Sequence, residues 1–256
     1  MSLLEKVSGF RTLSRVFRYE DLMRFRRTRR AGRGELEYFR IKQLGGKAVA
    51  CRPGTTDHQV LIDTFSSLFH LPPESLPANP KILDLGANVG YTAAHFAALF
   101  PTATVYAVEM DERNAEMARR NTEQFRPRVS IIHCAVWIEN GAMSYGGGED
   151  GEWAYRLDGL GAAPGLSTVA TQTLDTLCET QGIDRIDFLK MDIEGAESRV
   201  LREHTNWLGR VQRINLEVHG PMVLDEALEL LTQHGFECRR HPTHPAAVLG
   251  VRCASK

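Results

Sequence analysis

The sequence predicts an α/β fold: a doubly wound, mostly parallel sheet of seven strands, preceded by an N-terminal helical and hairpin accessory segment. Three observations carry that prediction. Residues 81–111 read as a strand, a glycine turn, a helix and a second strand closed by a carboxylate, which is one βαβ unit with a ligand site at its mouth. Further short apolar runs at 129–134, 186–191 and 213–218 alternate with helical stretches, as a parallel sheet requires. The exits of four strands carry acids: Asp84, Glu109, Asp192 with Glu194, and Glu217 followed by His219.

A chain of 256 residues suits one sizeable domain with elaborations, here an accessory segment over 1–75 and the sheet domain over 76–256, packed as one unit. The formal net charge of -1 predicts no general affinity for polyanions, so nucleic acid is not an expected partner. Cys51, Cys134, Cys178, Cys238 and Cys253 are odd in number and form no C-x-x-C pair, which argues against a disulfide scaffold or a zinc site. The N-terminus lacks a signal-like apolar core, and no apolar stretch approaches the roughly 18 residues of a membrane span; the expected location is the cytoplasm.

Residues 11–33 hold nine arginines against Glu20 and Asp21, interleaved with Leu13, Val16, Phe17, Leu22, Met23 and Phe25 at a spacing that suits a helix with one buried stripe. Two readings stay open. The basic face is either a weak contact surface for anionic lipid or an acidic substrate, or a solvated face on a helix packed against the domain or against a second subunit of a homo-oligomer. Residues 38–41 and 47–51, around Gly45 and Gly46, read as a hairpin serving as lid or packing. Residues 55–65 start like a helix capped by Thr56 or Asp57, and the proline-rich stretch 71–80 connects to the first sheet strand.

Gly86 and Gly90 supply the backbone freedom a strand needs to turn at once into a helix. The dinucleotide fingerprint is G-x-G-x-x-G, but here Asn88 takes the middle glycine position and Asp84 stands two residues before the first glycine. An acid there repels phosphate and pairs with a ligand cation such as an amino-acid ammonium. Glu109, at the end of the second strand, is placed to accept from both hydroxyls of a ribose. An amino-acid end and a ribose together suggest S-adenosylmethionine.

Beyond Glu109, residues 111–125 read as a helix with acid early and arginine late. Residues 139–168, with Gly146 to Gly148 and glycines from 159 to 165, read as an irregular insertion holding one hairpin and acting as a substrate-side lid. Thr173 opens a helix, a helix over 223–234 stops at Gly235, and strands near 236–240 and 247–251 close an antiparallel edge.

The run Asp84-Leu85-Gly86-Ala87-Asn88-Val89-Gly90, with Val108-Glu109-Met110-Asp111, resembles the first two cofactor motifs of class I S-adenosylmethionine-dependent methyltransferases. The run Asp187-Phe188-Leu189-Lys190-Met191-Asp192-Ile193-Glu194-Gly195-Ala196-Glu197 resembles the signature of their FkbM-like branch. The resemblance spans residues 56–219 and implies a Rossmann-like sheet. It also implies S-adenosylmethionine held by Asp84, Gly86, Asn88, Gly90, Glu109, Met110, Ala135 and Asp192, with residues 135–137 bordering the adenine and residues 55–65 lying over the cofactor. The alternative for that last stretch is a plain capped helix.

The strand exits converge on one crevice. Methyl transfer to a hydroxyl needs alignment and a base or a metal. His219 is the candidate base, because a histidine ordinarily titrates near 6.5 and a neighbouring carboxylate can orient its ring; Asp192 and Glu194 complete the candidate catalytic set. Read blandly, His219 is a structural hydrogen-bonder. Asp192, Glu217 and His219 are also candidate ligands for Mg²⁺. Lys190 shares a strand face with Asp192 and is placed to neutralise the acids. Glu194 and Glu197 both suit a helix start, and only Glu194 looks close enough to act. The expected acceptor is a small molecule or saccharide, through a hydroxyl of a sugar, glycolipid or polyketide-like metabolite. The competing functions are a nucleotide-dependent oxidoreductase, which Asn88 and Asp84 oppose, and a non-catalytic cofactor-binding protein, which needs Gly86 and Gly90 but no base.

Overall fold

The computed structural model describes residues 3–29, 32, 34–145, 167–220 and 222–254. The arginine-rich stretch forms two helices rather than one, α1 (Leu3–Val16) and α2 (Tyr19–Thr28). The chain breaks at Phe17, which leaves the helix to bridge Ile41 and packs its ring 4.8 Å from Phe25 and 5.7 Å from Phe39. Folding back lets Leu13, Val16, Leu22 and Phe25 all be buried, which one straight helix lying on the surface would not achieve.

A hairpin follows, β1 (Glu37–Arg40) and β2 (Ala48–Cys51), paired antiparallel. It is a packing element: the Ala50 N–H donates to Asn121 Oδ1 at 2.7 Å, and the Tyr91 hydroxyl donates to the Ala50 carbonyl at 2.8 Å. The helix α3 (Asp57–Ile62) continues into a π-helical turn over Asp63–Ser67. Neither Thr56 nor Asp57 caps it with a side-chain bond; the Thr55 hydroxyl accepts from the Asp57 N–H at 3.2 Å. Asp57 is buried and holds Arg52 instead, accepting from its Nε at 2.9 Å and Nη2 at 2.8 Å. A two-point charged pair outcompetes a single neutral cap bond.

The main sheet contains β3 (Lys81–Leu85), β4 (Thr104–Glu109) and β5 (Val129–His133), and a small sheet contains β6 (Ala135–Val136), β7 (Gly141–Tyr145) and β8 (Ser167–Gln172). The main sheet is completed by β9 (Phe188–Met191), β10 (Arg213–Glu217), β11 (Phe236–Arg240) and β12 (Ala247–Arg252). The strand order is β11-β12-β10-β9-β3-β4-β5, with β12 antiparallel to both its neighbours and β10, β9, β3, β4 and β5 parallel. The helices α4 (Tyr91–Leu99), α5 (Glu112–Thr122), α6 (Leu174–Gln181), α7 (Glu197–Val200) and α8 (Leu224–Gln233) make the crossovers. After β3 the chain winds outward to β4 and β5, then returns to place β9 on the other side. That reversal opens a crevice at the carboxyl ends of β3 and β9.

Strand side chains alternate between two apolar layers, Ile82 and Phe188 on one face, Leu83, Leu85, Leu189 and Met191 on the other. The first layer also takes in Leu13, Phe25, Phe39 and Phe65, so residues on both sides of position 75 share one core. The flanks of the glycine-rich insertion, β7 and β8, pair antiparallel from Gly141↔Thr171 to Tyr145↔Ser167. Residues 146–166, and the lid expected there, lie outside the described residues.

The turn after β3 needs its glycines for different reasons. Gly86 has φ +75°, and a Cβ there would lie 1.7 Å from the Asp192 carbonyl oxygen, because β3 and β9 exit side by side. Gly90 has φ +81°, and its Cβ would meet Ala118 Cα of α5 at 2.7 Å. Gly182 has a similar φ of +65° but open space around it. In urea unfolding, Gly182→Ala should lose about 1 kcal/mol, the cost of the left-handed backbone alone. Gly86→Ala should lose at least about 4 kcal/mol, the range of severe steric conflicts. Equal losses would show that the close approach to Asp192 does not constrain the fold.

Candidate active site

A crevice of about 380 Å³ lies over the carboxyl ends of β3, β4, β9 and β10, within the usual range of roughly 300–1,000 Å³ for small-molecule sites. Val60, Asp63 and Thr64 of α3 and its π-helical turn line one side, together with His70. Of the cofactor residues expected from the sequence, Gly86, Asn88, Glu109, Met110, Ala135 and Asp192 line it. Asp84 and Gly90 are not on its wall: Gly90 is turned against α5, and Asp84 is fully buried beneath.

The wall carrying Asn88 and Glu109 is held by hydrogen bonds within the protein. Asn88 takes φ +50°, a left-handed conformation that asparagine tolerates better than most residues. Its N–H donates to Glu109 Oε2 at 2.8 Å, and the Asp111 N–H donates to Oε1 at 2.9 Å. Burial raises the Glu109 pKa, and those two backbone donors oppose the rise. The N–H groups of Gly86 and Ala87 both donate to the Val108 carbonyl, at 3.0 and 2.9 Å. The turn and the end of β4 are therefore one hydrogen-bonded piece.

Asp84 corrects the expectation that it meets a ligand ammonium, because the protein supplies its own. Lys190 Nζ lies 3.6 Å from Asp84 and 3.2 Å from Asp192, and donates to the Gly86 carbonyl at 2.9 Å. Burial works against the lysine charge, but Asp192 and Asp84 outweigh it and hold the ammonium protonated. Burial likewise raises the Asp84 carboxyl, with Lys190 pulling the other way.

His219 stands among four carboxylates. Its Nδ1 is 3.3 Å from Glu197 and 3.8 Å from Asp192, while its Nε2 is 3.4 Å from Glu217 and 3.9 Å from Glu194. Hydrogen bonds to Glu197 and then Glu217 raise its pKa from the usual 6.5 to about 11, against the opposing effect of burial. These contacts favour the protonated ring, in which both nitrogens donate and neither can take a proton, so they weigh against the expected role of His219 as the base. Burial, followed by Asp192, raises the Glu194 pKa. Glu194 is also the most exposed carboxylate of the group, with 58% of its side chain accessible against 0% for Glu197.

The sequence reading underrated Glu197. Its Oε1 accepts from the Ile193 N–H at 2.9 Å and its Oε2 from the Gly195 N–H at 2.7 Å, so it staples the turn after β9 while orienting His219. The available signal was Gly195, whose φ of +102° doubles the chain back and brings a carboxylate two residues on toward the strand exit. His70 was also missed. It lies buried on the crevice wall with Nε2 2.9 Å from His95 Nδ1, and burial keeps it neutral. The loop carrying it is held by Asn215, whose Nδ2 donates to the Phe69 carbonyl at 2.6 Å.

Residues 84–238 match the methyltransferase FkbM domain family, more than half of the chain. The chain belongs to the FkbM methyltransferase family. It is 30% identical over 176 residues to the 2-O-methyltransferase NoeI of Sinorhizobium fredii, covering 60% of this chain and 71% of that protein. It is 24% identical over 160 residues to the hexuronic acid methyltransferase AglP of Haloferax volcanii, covering 62% of this chain and 64% of that protein. The crystal structure of the methyltransferase FkbM from Methylobacillus flagellatus KT aligns over 97% of this chain with a TM-score of 0.50 at 15% identity. This chain spans 59% of the length of that one. The sheet is the Rossmann-like sheet of the class I methyltransferases, and the oxidoreductase reading falls with the family match.

In this FkbM-family chain the Mg²⁺ expectation meets two obstacles. The ligand atoms that converge within 4.8 Å among the described residues belong to Asp192, Glu197 and His219, not to Asp192, Glu217 and His219. Glu217 sits at the Nε2 edge of the ring, away from the Nδ1 edge that the other two share, and also approaches His244 Nε2 at 3.5 Å. Asp192 already faces the Lys190 ammonium at 3.2 Å, which occupies the position beside it that a cation would take. The three residues expected from the sequence therefore do not form a converging ligand set.

The sign of the His219 shift sets a pH dependence. A pKa raised on folding contributes stability that is complete below the unfolded value near 6.5 and declines steadily up to about 11. The stability gap between the parent protein and His219→Gln should be largest at about pH 6 and smaller at about pH 9. Nitrogen NMR of the chelator-treated protein should find the His219 ring protonated at about pH 8, above the ordinary histidine range. A neutral ring there, or a gap independent of pH, would contradict the assignment.

Proposed function

We propose that this protein is an S-adenosylmethionine-dependent O-methyltransferase whose acceptor is a hydroxyl of a sugar, glycolipid or polyketide-like metabolite. The observation that carries the reading is the charge of the crevice. Asp84, Asp192, Glu194, Glu197 and Glu217 gather around Lys190 and His219, leaving an excess of negative charge that favours a cationic sulfonium and opposes a phosphate. The names of the relatives NoeI and AglP support O-methylation of a saccharide-like acceptor.

S-adenosylmethionine, when bound, supplies an electrophilic methyl group on a sulfonium. Glu109 would accept from its ribose hydroxyls, with Met110 and Ala135 against the adenine and Asp192 toward the amino-acid end. The acceptor hydroxyl must lose a proton as its new bond forms. Glu194 suits that task better than His219: its carboxylate is reachable from the crevice mouth, and its raised pKa makes it a stronger base than an ordinary glutamate. His219 holds Glu194 and Glu217 in place as the fixed positive centre between them.

In thermal shift, S-adenosylhomocysteine at about a hundred times its dissociation constant should stabilise the protein by about 2.7 kcal/mol, and NAD should not. Glu109→Ala should lose most of that stabilisation. Glu194→Gln should keep it, yet transfer labelled methyl to neutral glycosides on the order of 10²–10⁴ times more slowly than the parent. Stabilisation by NAD alone would overturn the cofactor, and unchanged turnover in Glu194→Gln would overturn the base.

A further inference from the structure

The net charge of -1 conceals a separation. Residues 1–47 carry thirteen Lys and Arg against five Asp and Glu, and the remainder carries eighteen against twenty-seven. The positive end is therefore local, and its shape bears on what it meets. On α2, Tyr19, Met23 and Arg26 recur at helical spacing with Arg27 beside them, facing outward, while Leu22 and Phe25 of the same helix are buried. Tyr19 is 70% exposed and Met23 44%; on α1, Arg11 and Arg15 are exposed. Among the described residues the ion pair on these helices is Arg24 with Asp21; Arg11, Arg15, Arg18, Arg26 and Arg27 have no acid within salt-bridge distance.

We propose that the outward face of α1 and α2 docks on an anionic lipid surface. Arginines alone would be explained by solvation, but exposed Tyr19 and Met23 set among them would not. Apolar and aromatic side chains interleaved with cations match the boundary between acyl chains and charged headgroups. A second protein copy fits less well, since a stable interface wants about 800 Å² of contiguous complementary face per partner, and these apolar side chains are scattered among charges. The docking face is tied to the crevice: Gln43 Nε2 donates to the Arg15 carbonyl at 3.4 Å and to the Phe65 carbonyl at 2.6 Å, next to Thr64 on the crevice wall.

Co-sedimentation of the full chain with phosphatidylcholine vesicles, with and without phosphatidylglycerol, tests this. Binding is expected only with the anionic lipid, and should fall steeply as salt is raised. Arg26→Glu combined with Arg27→Glu should bind at least about tenfold more weakly than the parent, while melting at the same temperature. Tyr19→Ser combined with Met23→Ser should lose the fraction of binding that survives salt. Three results would overturn the proposal: no sedimentation with anionic vesicles at low salt, equal binding by the charge-reversed variant, or a salt-sensitive dimer that ignores vesicles.

Discussion

The ammonium of Lys190 between Asp84 and Asp192 is the interaction on which the rest of the site depends. In a parallel sheet the strand exits lie side by side, and the register sets Asp84 of β3 directly beside Lys190 of β9. Acids at adjacent exits therefore converge, and at these separations their mutual repulsion in a poorly solvated crevice is large. A charge buried without a partner would be worse still. The chain answers with two cations of its own: Lys190 beneath the β3–β9 junction, and His219 at the exit of β10, with carboxylates within 4 Å of both its ring nitrogens.

Several features follow from that arrangement. Gly86 is required because the Asp192 carbonyl lies where a side chain would go, and the same carbonyl belongs to the residue that faces Lys190. Glu197 must reach back to the Ile193 and Gly195 N–H groups, because the turn that presents Asp192 and Glu194 has two consecutive residues at positive φ. The result is a crevice with one rigid hydrogen-bonded wall, Asn88 to Glu109, and one acidic wall whose charges are partly balanced from within. Such a site favours a cationic ligand group over a phosphate, and Glu194 is the most exposed of its carboxylates.

The βαβ unit is legible in the sequence because it is local: Gly86, Gly90 and Glu109 act on neighbours within one supersecondary unit. Most of the seven strands are legible for the same reason, as short apolar runs between clear stops, whereas β11, Phe236–Arg240, is mostly polar. What the sequence does not show arises between distant segments. Asp84 reads as a ligand-facing acid until β9 places Lys190 against it, 106 residues later in the chain. His219 reads as an ordinary titrating base until carboxylates from the β9 turn, α7 and β10 close on both its ring nitrogens. The break at Phe17 follows from a shift of the apolar stripe, since Leu22 and Phe25 would fall on the opposite side of a continuous helix from Leu13 and Val16, and the bridge to Ile41 shows where the chain turns.

The most direct test of the internal-cation account is a double-mutant cycle between Asp84 and Lys190, read by urea unfolding. Lys190→Met alone should destabilise the protein by about 3–5 kcal/mol, because it leaves Asp84 buried without compensation. Asp84→Asn combined with Lys190→Met should recover most of that loss. A single-variant cost no larger than that of a surface substitution, or strictly additive costs in the double variant, would mean that the pair does not hold the strand exits together.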